Sequence, residues 1–346
     1  MKSLGLWSVV LLVAMSAACN SMYDPPSLIN KLRVLGVRAE PPVLTVTGPT
    51  TLEPLVVGYD ADQPLCYAWS LCLFALSDGG NFRCIDAELE TSLGTGSTAS
   101  VNAGQVFEML PKIGEVFDKL GLNPPEIEGQ SPTDLAQDST TEIYVRFKFA
   151  EAGTEGGTCP TDATAWLEKP CGDRSKCLAG YKRLELVTDP TKAHTNPVLE
   201  GIEVDGVAWP ANVTPTVPCY QGDAEFGQLG KGAMSITPIW DAASKEEIGP
   251  NPDPTKPEPV METMLFSWFS TGGDFDKQRS YDEVPENAFL PPDYGGKESQ
   301  ILTLWLVMRD GRNGTAWTQR NVEVRGDAPY EGNPLCRADP TLKGCP

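Results

Sequence analysis

The sequence predicts an all-β protein with two β-sandwich domains in tandem, the first with a short helical insertion near residues 104–122. The chain of 346 residues contains 33 glycines and 31 prolines, which favour short strands and turns over long helices. Segments of alternating apolar and polar residues recur in both halves. A polar, proline-punctuated stretch at 188–197 separates the halves, which places the domains at 28–190 and 196–326, before a cysteine-containing tail at 327–346.

The strands of the first domain are predicted from three segments. Residues 32–39 alternate imperfectly and end at two prolines, which cannot donate to a strand ladder. Residues 65–72 contain Trp69, which we expect to fill a core between two sheets rather than to stack on a ligand. Residues 142–149 alternate cleanly. The polar face of this last segment is predicted to be half exposed, and it consists of Tyr144, Arg146 and Lys148.

The helical insertion is predicted from a change of period between residues 104 and 122. Pro111 lies inside this segment, so we expect a kink or two short helices. Its role is predicted to be a lid over the open end of the sandwich, with partner docking as the alternative. The segment 151–180 is predicted to be a long loop ordered by its cysteines. The apolar face of the insertion comprises Val106, Phe107, Leu110, Ile113, Phe117 and Leu120.

A faint internal repeat predicts that the second domain copies the first. Residues 35–40 are matched by 199–204, and residues 67–70 by 266–269. Two copies of one sandwich are the simplest account of this similarity.

The end of the second domain is predicted to be a β-hairpin. Apolar segments at 301–308 and 316–324 flank the Asp-Gly and Asn-Gly pairs that begin at Asp310 and Asn313. These pairs favour tight reversal because glycine and asparagine tolerate positive φ. We interpret the hairpin as a structural turn.

The first 18 residues are predicted to be a lipoprotein signal peptide. Lys2 precedes an apolar run at 4–15, which is too short for the roughly 20 residues of a membrane-spanning helix. Small residues at 16–18 then lead to Cys19. This start resembles that of bacterial lipoproteins, which implies that Cys19 is acylated, for example with palmitate, and that residues 19–27 are a tether. Asn20, rather than aspartate, follows the cysteine, which favours the outer membrane over the inner one.

The charge of the chain excludes nucleic acids as partners and disfavours direct contact with anionic lipid heads. The chain has 27 basic and 47 acidic residues, and loss of Lys2 with the leader shifts its net charge from −20 to −21. Such a surface repels nucleic acids and anionic lipid heads. Contact with the membrane is therefore expected through the N-terminal lipid.

The ten cysteines indicate an oxidising compartment. If Cys19 is lipidated, nine remain, and an odd number leaves at least one without an intramolecular partner. Zinc is disfavoured, because the chain has no CxxC pair and its single histidine, His194, lies in a polar linker. Local disulfides are expected instead, joining Cys336 to Cys345, Cys171 to Cys177, and Cys84 to either Cys66 or Cys72.

No catalytic constellation stands out in the sequence. The single histidine leaves no nucleophilic triad, and the abundant carboxylates identify no particular pair. We predict no cofactor, and calcium is the one metal that stays as a hypothesis. Its ligands would be acidic residues near strand ends, Asp274, Asp276 and Asp310, and the alternative is that these residues face water in turns.

Three motifs carry a family resemblance. They are LRVLGVRAEPP at 32–42, YAWS at 67–70, and RDGRNG at 309–314 followed by Trp317. Together they resemble surface lipoproteins of myxobacterial type, and their layout is similar to bacterial Ig-like domains of the polycystic-kidney-disease type. The resemblance implies extracytoplasmic Ig-like β-sandwiches with no established activity and no catalytic residues.

These observations predict a lipid-anchored, non-enzymatic protein of the cell envelope that presents an interaction or structural surface at the outer membrane. Its expected partners are the membrane, through the lipid, and an envelope protein or glycan that the sequence does not identify. Two alternatives stay open. One is a carbohydrate-binding module that uses exposed tryptophan or tyrosine, and the other is an envelope enzyme with an atypical site.

Overall fold

The structure is a computed structural model that describes residues 25–78, 81–122, 141–154, 158–222, 230–252, 255–256, 258–293 and 299–346. The predicted signal peptide, Cys19 and most of the predicted tether therefore lie outside the described residues.

The first domain consists of two sheets and a small hairpin. One sheet has the order β1-β3-β8 and the other the order β2-β10-β9-β4-β7, while β5 pairs with β6. All pairs are antiparallel except that of β2 with β10. The strands are β1 (Arg33–Glu40), β2 (Leu44–Thr45), β3 (Thr50–Val57), β4 (Leu65–Cys72), β5 (Ala75–Asp78), β6 (Asn81–Cys84), β7 (Glu90–Gly94), β8 (Ala99–Val101), β9 (Thr141–Glu151) and β10 (Cys177–Val187).

The second domain repeats this plan. Its sheets have the orders β12-β11-β14-β20-β18 and β13-β22-β21-β17-β19, and β15 pairs with β16. The strands are β11 (Leu199–Val204), β12 (Val207–Ala208), β13 (Thr216–Val217), β14 (Met234–Trp240), β15 (Glu247–Gly249), β16 (Val260–Met261), β17 (Leu265–Ser270), β18 (Asp274–Phe275), β19 (Arg279–Tyr281), β20 (Asn287–Leu290), β21 (Ser299–Arg309) and β22 (Thr315–Arg325).

The strand orders are those of immunoglobulin-like sandwiches. In the second domain, β11-β14-β20 corresponds to strands A-B-E and β22-β21-β17 to strands G-F-C, while the short strands β18 and β19 add to the edges beside β20 and β17. In the first domain, β1-β3-β8 corresponds to A-B-E and β10-β9-β4-β7 to G-F-C-C′. The predicted fold class, all-β with two Ig-like sandwiches in tandem, is confirmed.

Each sandwich is built around a tryptophan on its C strand. Trp69 on β4 and Trp268 on β17 are both 0% exposed, and they occupy the matching positions of the internal repeat. The indole N–H of Trp69 donates to the carbonyl oxygen of Gly96 at 2.8 Å, and that of Trp268 donates to Ser280 Oγ at 3.2 Å. Burial of the ring with its polar edge satisfied is the favourable arrangement for tryptophan. The core role predicted for Trp69 is confirmed.

The insertion of the first domain forms two short helices between β8 and β9, α1 (Ala103–Met109) and α2 (Ile113–Leu120). Pro111 lies in a 3-10 turn between them. This turn changes the helical phase of the side chains that follow it, so the predicted apolar face is not continuous. Phe107 and Leu120 are 39% and 40% exposed, and Val116 is buried instead. Within the described ranges, no helix is long and apolar enough to span a bilayer.

The segment after β9 corrects a prediction. It contains a helix, α3 (Ala163–Leu167), which packs across the face of β9 that was expected to be half exposed. Arg146 and Lys148 on that face are 2% and 0% exposed. The Lys148 ammonium lies 4.7 Å from the centre of the Trp166 ring and donates to the Lys169 carbonyl oxygen at 2.9 Å. Alternation along one strand does not reveal which later segment will cover its polar face.

Four disulfides join eight of the described cysteines: Cys66–Cys159, Cys72–Cys84, Cys171–Cys177 and Cys336–Cys345. The tail pair fixes the last helix, α4 (Pro334–Ala338), whose Leu335 is buried in the core of the second domain. Cys84 bonds to Cys72, which decides between the two partners left open by the sequence. The Cys66–Cys159 bond spans 93 residues and was not anticipated from spacing. Cys219 is buried and carries a free thiol.

Candidate functional site

The two sandwiches meet in an apolar joint. The first domain contributes Leu35 on β1 and Val57 on β3, and the second contributes Trp305 and Val307 on β21. Ile29, just before β1, completes the buried cluster, and Val307 is 0% exposed. The outer faces of the two sheets are thus covered by each other rather than by solvent, and burial of this apolar surface stabilises the joint.

A β-bulge in β1 allows this strand to pack against both the core of its own domain and the apolar joint. The register between β1 and β3 shifts between Val34 and Gly36. Leu35 therefore faces the second domain, whereas Val34, Val37 and Ala39 pack in the core of their own domain. The bulge accounts for the imperfect alternation of apolar and polar residues in the sequence of this strand.

The hairpin between β21 and β22 forms hydrogen bonds with the first domain. The Lys182 ammonium donates to the Asn313 carbonyl oxygen at 2.5 Å, and the side-chain amide of Asn313 donates to Glu185 Oε1 at 3.3 Å. From the linker, Asn196 donates to the Ala39 carbonyl oxygen at 2.6 Å and accepts from the Thr315 N–H at 2.9 Å. The predicted structural turn is therefore also part of the contact between domains.

A groove of about 700 Å³ opens beside the joint, within the 300 to 1,000 Å³ typical of ligand pockets. A second recess of about 380 Å³ shares Val34, Leu35, Phe147 and Arg309 with it, so the two are neighbouring parts of one cleft. We call this cleft the interdomain groove. Its lining divides into an apolar group and a basic group. The apolar group includes Leu35, Phe147, Leu178, Leu265 and Phe269, and the basic group comprises Arg33, Arg279, Arg309 and Lys182.

The basic residues of the groove reach it from separate elements. Arg33 begins β1, Arg279 begins β19, and Arg309 ends β21. Cross-strand pairing places both Arg279 and Arg309 next to β17, where they pair with Ser267 and Leu265 respectively. The sheet of the second domain thereby brings two guanidinium groups to one rim.

Two of these arginines are held by neutral oxygens. Arg309 donates to the Leu35 carbonyl oxygen across the joint and to Ser267 Oγ at 3.3 Å, and Arg33 donates to the Pro26 carbonyl oxygen. Among the described residues that line the groove, none is acidic. No ion pair within the described part of the chain involves Arg33, Arg279 or Arg309.

The pKa shifts of Arg309 and Lys182 reflect mainly their burial. Burial lowers the pKa of Arg309, and the nearby guanidinium of Arg279 lowers it further. Burial also lowers the pKa of Lys182 to about 8; the carboxylate of Asp310 opposes this shift, while Arg309 and Arg183 add to it. The described lining of the cleft is positively charged, and the neighbouring carboxylate of Asp310 offsets part of that charge.

The aspartates of the calcium hypothesis lie on different sheets. Asp274 on β18 accepts from Ser27 Oγ at 2.9 Å, and Asp276 follows the same strand. Asp310 follows β21, and its Oδ1 accepts from the N–H groups of Arg312 at 2.7 Å and Gly314 at 2.9 Å. In the described ranges, no three His, Cys, Asp or Glu side chains are grouped so that they could hold a metal ion. The structure thus does not bring these aspartates together.

The basic residues of the groove were missed by sequence reasoning. They are far apart in the chain, and Arg33 and Arg309 stood within motifs that were interpreted as a strand and a turn. The only signal in the sequence was indirect: arginine residues occur within strands of a strongly acidic protein.

The comparisons with known proteins identify no family. No family model matches the chain, and no curated protein sequence is detectably similar to it. Among solved structures, the chain is similar to the D0–D1 domain of intimin at 8% identity, covering 84% of this chain and 98% of that one, with a TM-score of 0.21. The human desmocollin-1 ectodomain matches at 10% identity over 86% of this chain and 38% of that one, with a TM-score of 0.19.

A third structure, extracellular domains 3–5 of Drosophila OTK, matches at 10% identity over 87% of this chain and 98% of that one, with a TM-score of 0.17. The Ig-like fold assignment rests on the strand order of the two sandwiches.

Proposed function

We propose that this chain is a lipid-anchored protein of the cell envelope whose two Ig-like sandwiches form one jointed, non-catalytic interaction unit at the outer membrane. The observation that carries the proposal is the joint between the domains. An apolar cluster closed by Leu35 and Val307 is flanked by the hydrogen bonds of Asn196 and Asn313. A joint with both components favours one fixed arrangement of the two domains, as expected for a surface presented to a partner.

The N-terminal segment supports anchoring near this joint. Ser27 and Ile29 bond to the end of β17: the Ser270 N–H donates to the Ser27 carbonyl oxygen at 3.0 Å, and the Ile29 N–H donates to the Ser270 carbonyl oxygen at 2.7 Å. From Cys19 to Ser27 an extended chain reaches at most about 28 Å. Lipid at Cys19 would therefore hold the joint close to the membrane surface.

The absence of catalysis is supported by the surroundings of the single histidine. His194 is 2% exposed, and its Nε2 lies 2.7 Å from the Arg312 carbonyl oxygen. A general base has to reach a substrate proton, and this ring is enclosed between the linker and the hairpin. For the carbohydrate-binding alternative, Trp69 and Trp268 are core residues, whereas Tyr181, Tyr281 and Tyr330 are exposed.

The anchor is tested by replacing Cys19 with alanine, labelling cells with a palmitate analogue and fractionating their membranes. We expect the label and the membrane association to be lost in Cys19→Ala. The matched control is Cys219→Ala, which removes the free buried thiol and should keep both. Labelling of Cys19→Ala at the wild-type level would overturn the lipid anchor.

A further inference from the structure

We propose that the interdomain groove binds a small amphipathic anion, with an oxyanion head held by Arg279 and Arg309 and an apolar body against Leu35, Phe147 and Phe269. This inference goes beyond the proposed function. It does not depend on the lipid anchor.

The charge of the groove is opposite to that of the chain as a whole. The chain carries a net charge of −20, yet the groove has three arginines and a lysine in its lining and no acidic residue among the described lining positions. Clefts lined by one sign of charge concentrate ligands of the opposite sign. The groove therefore selects anions against the repulsion of the rest of the surface.

The guanidinium groups of Arg279 and Arg309 keep donors that could bind an oxyanion. Arg309 uses one donor on Leu35 and one on Ser267, and a guanidinium has five. These bonds fix its position without neutralising its charge. Arg279 is exposed, and the described residues provide no hydrogen bond or ion pair for its side chain. A planar guanidinium recognises carboxylate or phosphate through two parallel hydrogen bonds.

The groove also has an apolar wall. Leu35 and Phe269 belong to the joint cluster, and Phe147 belongs to the core of the first domain; all three line the groove. The volume of about 700 Å³ greatly exceeds the space that a bare phosphate or carboxylate needs. A ligand that satisfies both halves of the lining has an oxyanion at one end and a chain or ring at the other.

The test is titration calorimetry of the full mature chain with Cys19→Ala, which removes acylation while keeping every groove residue. The probes are octyl phosphate and octanoate, with inorganic phosphate and octanol as probes that each lack one half of the proposed ligand. We expect saturable binding of an octyl anion that weakens as salt is raised, because the contact is ionic. Inorganic phosphate and octanol should bind at least about tenfold more weakly, since each leaves half of the lining unused.

The decisive variant is Arg279→Gln, because Arg279 is exposed and not part of the joint. Loss of one charge-assisted contact should weaken binding of the octyl anion by about tenfold or more. The matched control is Arg325→Gln at the opposite end of the β21–β22 hairpin, where Arg325 pairs with Ser299; it should bind as the unsubstituted chain does. Thermal melts of both variants establish that they are folded.

Three results would overturn the inference. They are no saturable binding of either octyl anion, equal binding by folded Arg279→Gln, and binding of inorganic phosphate or octanol as tight as that of the octyl anions. None of these results bears on Cys19, so failure here is distinguishable from failure of the proposed anchor.

Discussion

The main-chain N–H of Gly314 donates to Oδ1 of Asp310 at 2.9 Å, and this bond closes the loop that the second domain presents to the first. Asp310 is 2% exposed. A Cβ atom on Gly314 would lie 1.9 Å from Asp310 Oδ2 and 2.9 Å from Pro197 Cδ. Positive φ is needed at Gly311 and Asn313, at 80° and 83°, whereas Gly314 is required because nothing larger than hydrogen fits.

We predict that Gly314→Ala destabilises the protein by about 2 to 3 kcal/mol, because the new methyl group forces Asp310 out of its bonds. Urea unfolding curves measure the change. Gly114→Ala in α2 is the control, since a Cβ there meets open space. It should be neutral or stabilise by up to about 1 kcal/mol through helix propensity. Equal stability of the two variants would show that the steric argument is wrong.

The buried ion pair beneath α3 gives a second prediction. Arg146 Nη1 lies 2.5 Å from Glu90 Oε1, with side-chain exposures of 2% and 4%. Glu90→Ala leaves a buried guanidinium partly uncompensated and should cost about 3 to 5 kcal/mol in the free energy of unfolding. The double variant Glu90→Leu/Arg146→Met should cost clearly less, because no charge stays buried.

The control for this pair is Glu142→Ala, which removes the exposed partner of Arg183 and should change stability by less than about 1 kcal/mol. Chemical denaturation of the wild type and these three variants measures the effects. A double variant as unstable as Glu90→Ala would contradict the assignment of the cost to the unpaired charge.

The disulfides give a third prediction, based on the length of chain that each one closes. Cys66–Cys159 spans 93 residues and Cys171–Cys177 spans 6. In the chain-entropy account, loss of the long loop costs about 4 to 5 kcal/mol and loss of the short one about 2 kcal/mol. Paired cysteine-to-alanine variants unfolded in guanidinium test the order. A larger loss for the short loop would contradict it.

Lys182 gives a prediction on pH. Its pKa is about 8 in the folded protein, against an ordinary value of 10.5. Between these values the unfolded chain binds more protons, so the contribution of Lys182 to stability rises with pH, by up to about 1.4 kcal/mol per pH unit. Between pH 8 and 10, the free energy of unfolding of the wild type should therefore rise relative to that of Lys182→Met.

The control for Lys182→Met is Lys112→Met, which removes an exposed lysine from the turn between α1 and α2. Its free energy of unfolding should follow that of the wild type across the same pH range. Parallel curves for the wild type and Lys182→Met would show that Lys182 is not desolvated in the joint.

Local patterns in the sequence predicted most of the architecture. The alternation of 142–149 marked β9, Pro111 marked the break between α1 and α2, and the Asp310 to Gly314 stretch marked the last hairpin. Each of these features depends on residues a few positions apart. The side-chain period of a strand, the missing N–H of proline and the φ range of glycine act at that distance.

By itself, the sequence determined that this protein consists of two similar β-sandwiches, the first with Trp69 in its core. Only the tertiary structure decided that α3 covers Arg146, that Cys66 bonds to Cys159, and that Arg279 and Arg309 face one groove. The physical reason is the range of the interactions. Strand patterns arise between neighbours in the chain, whereas burial of a polar face, a long-range disulfide and a shared positive potential depend on how distant segments pack together.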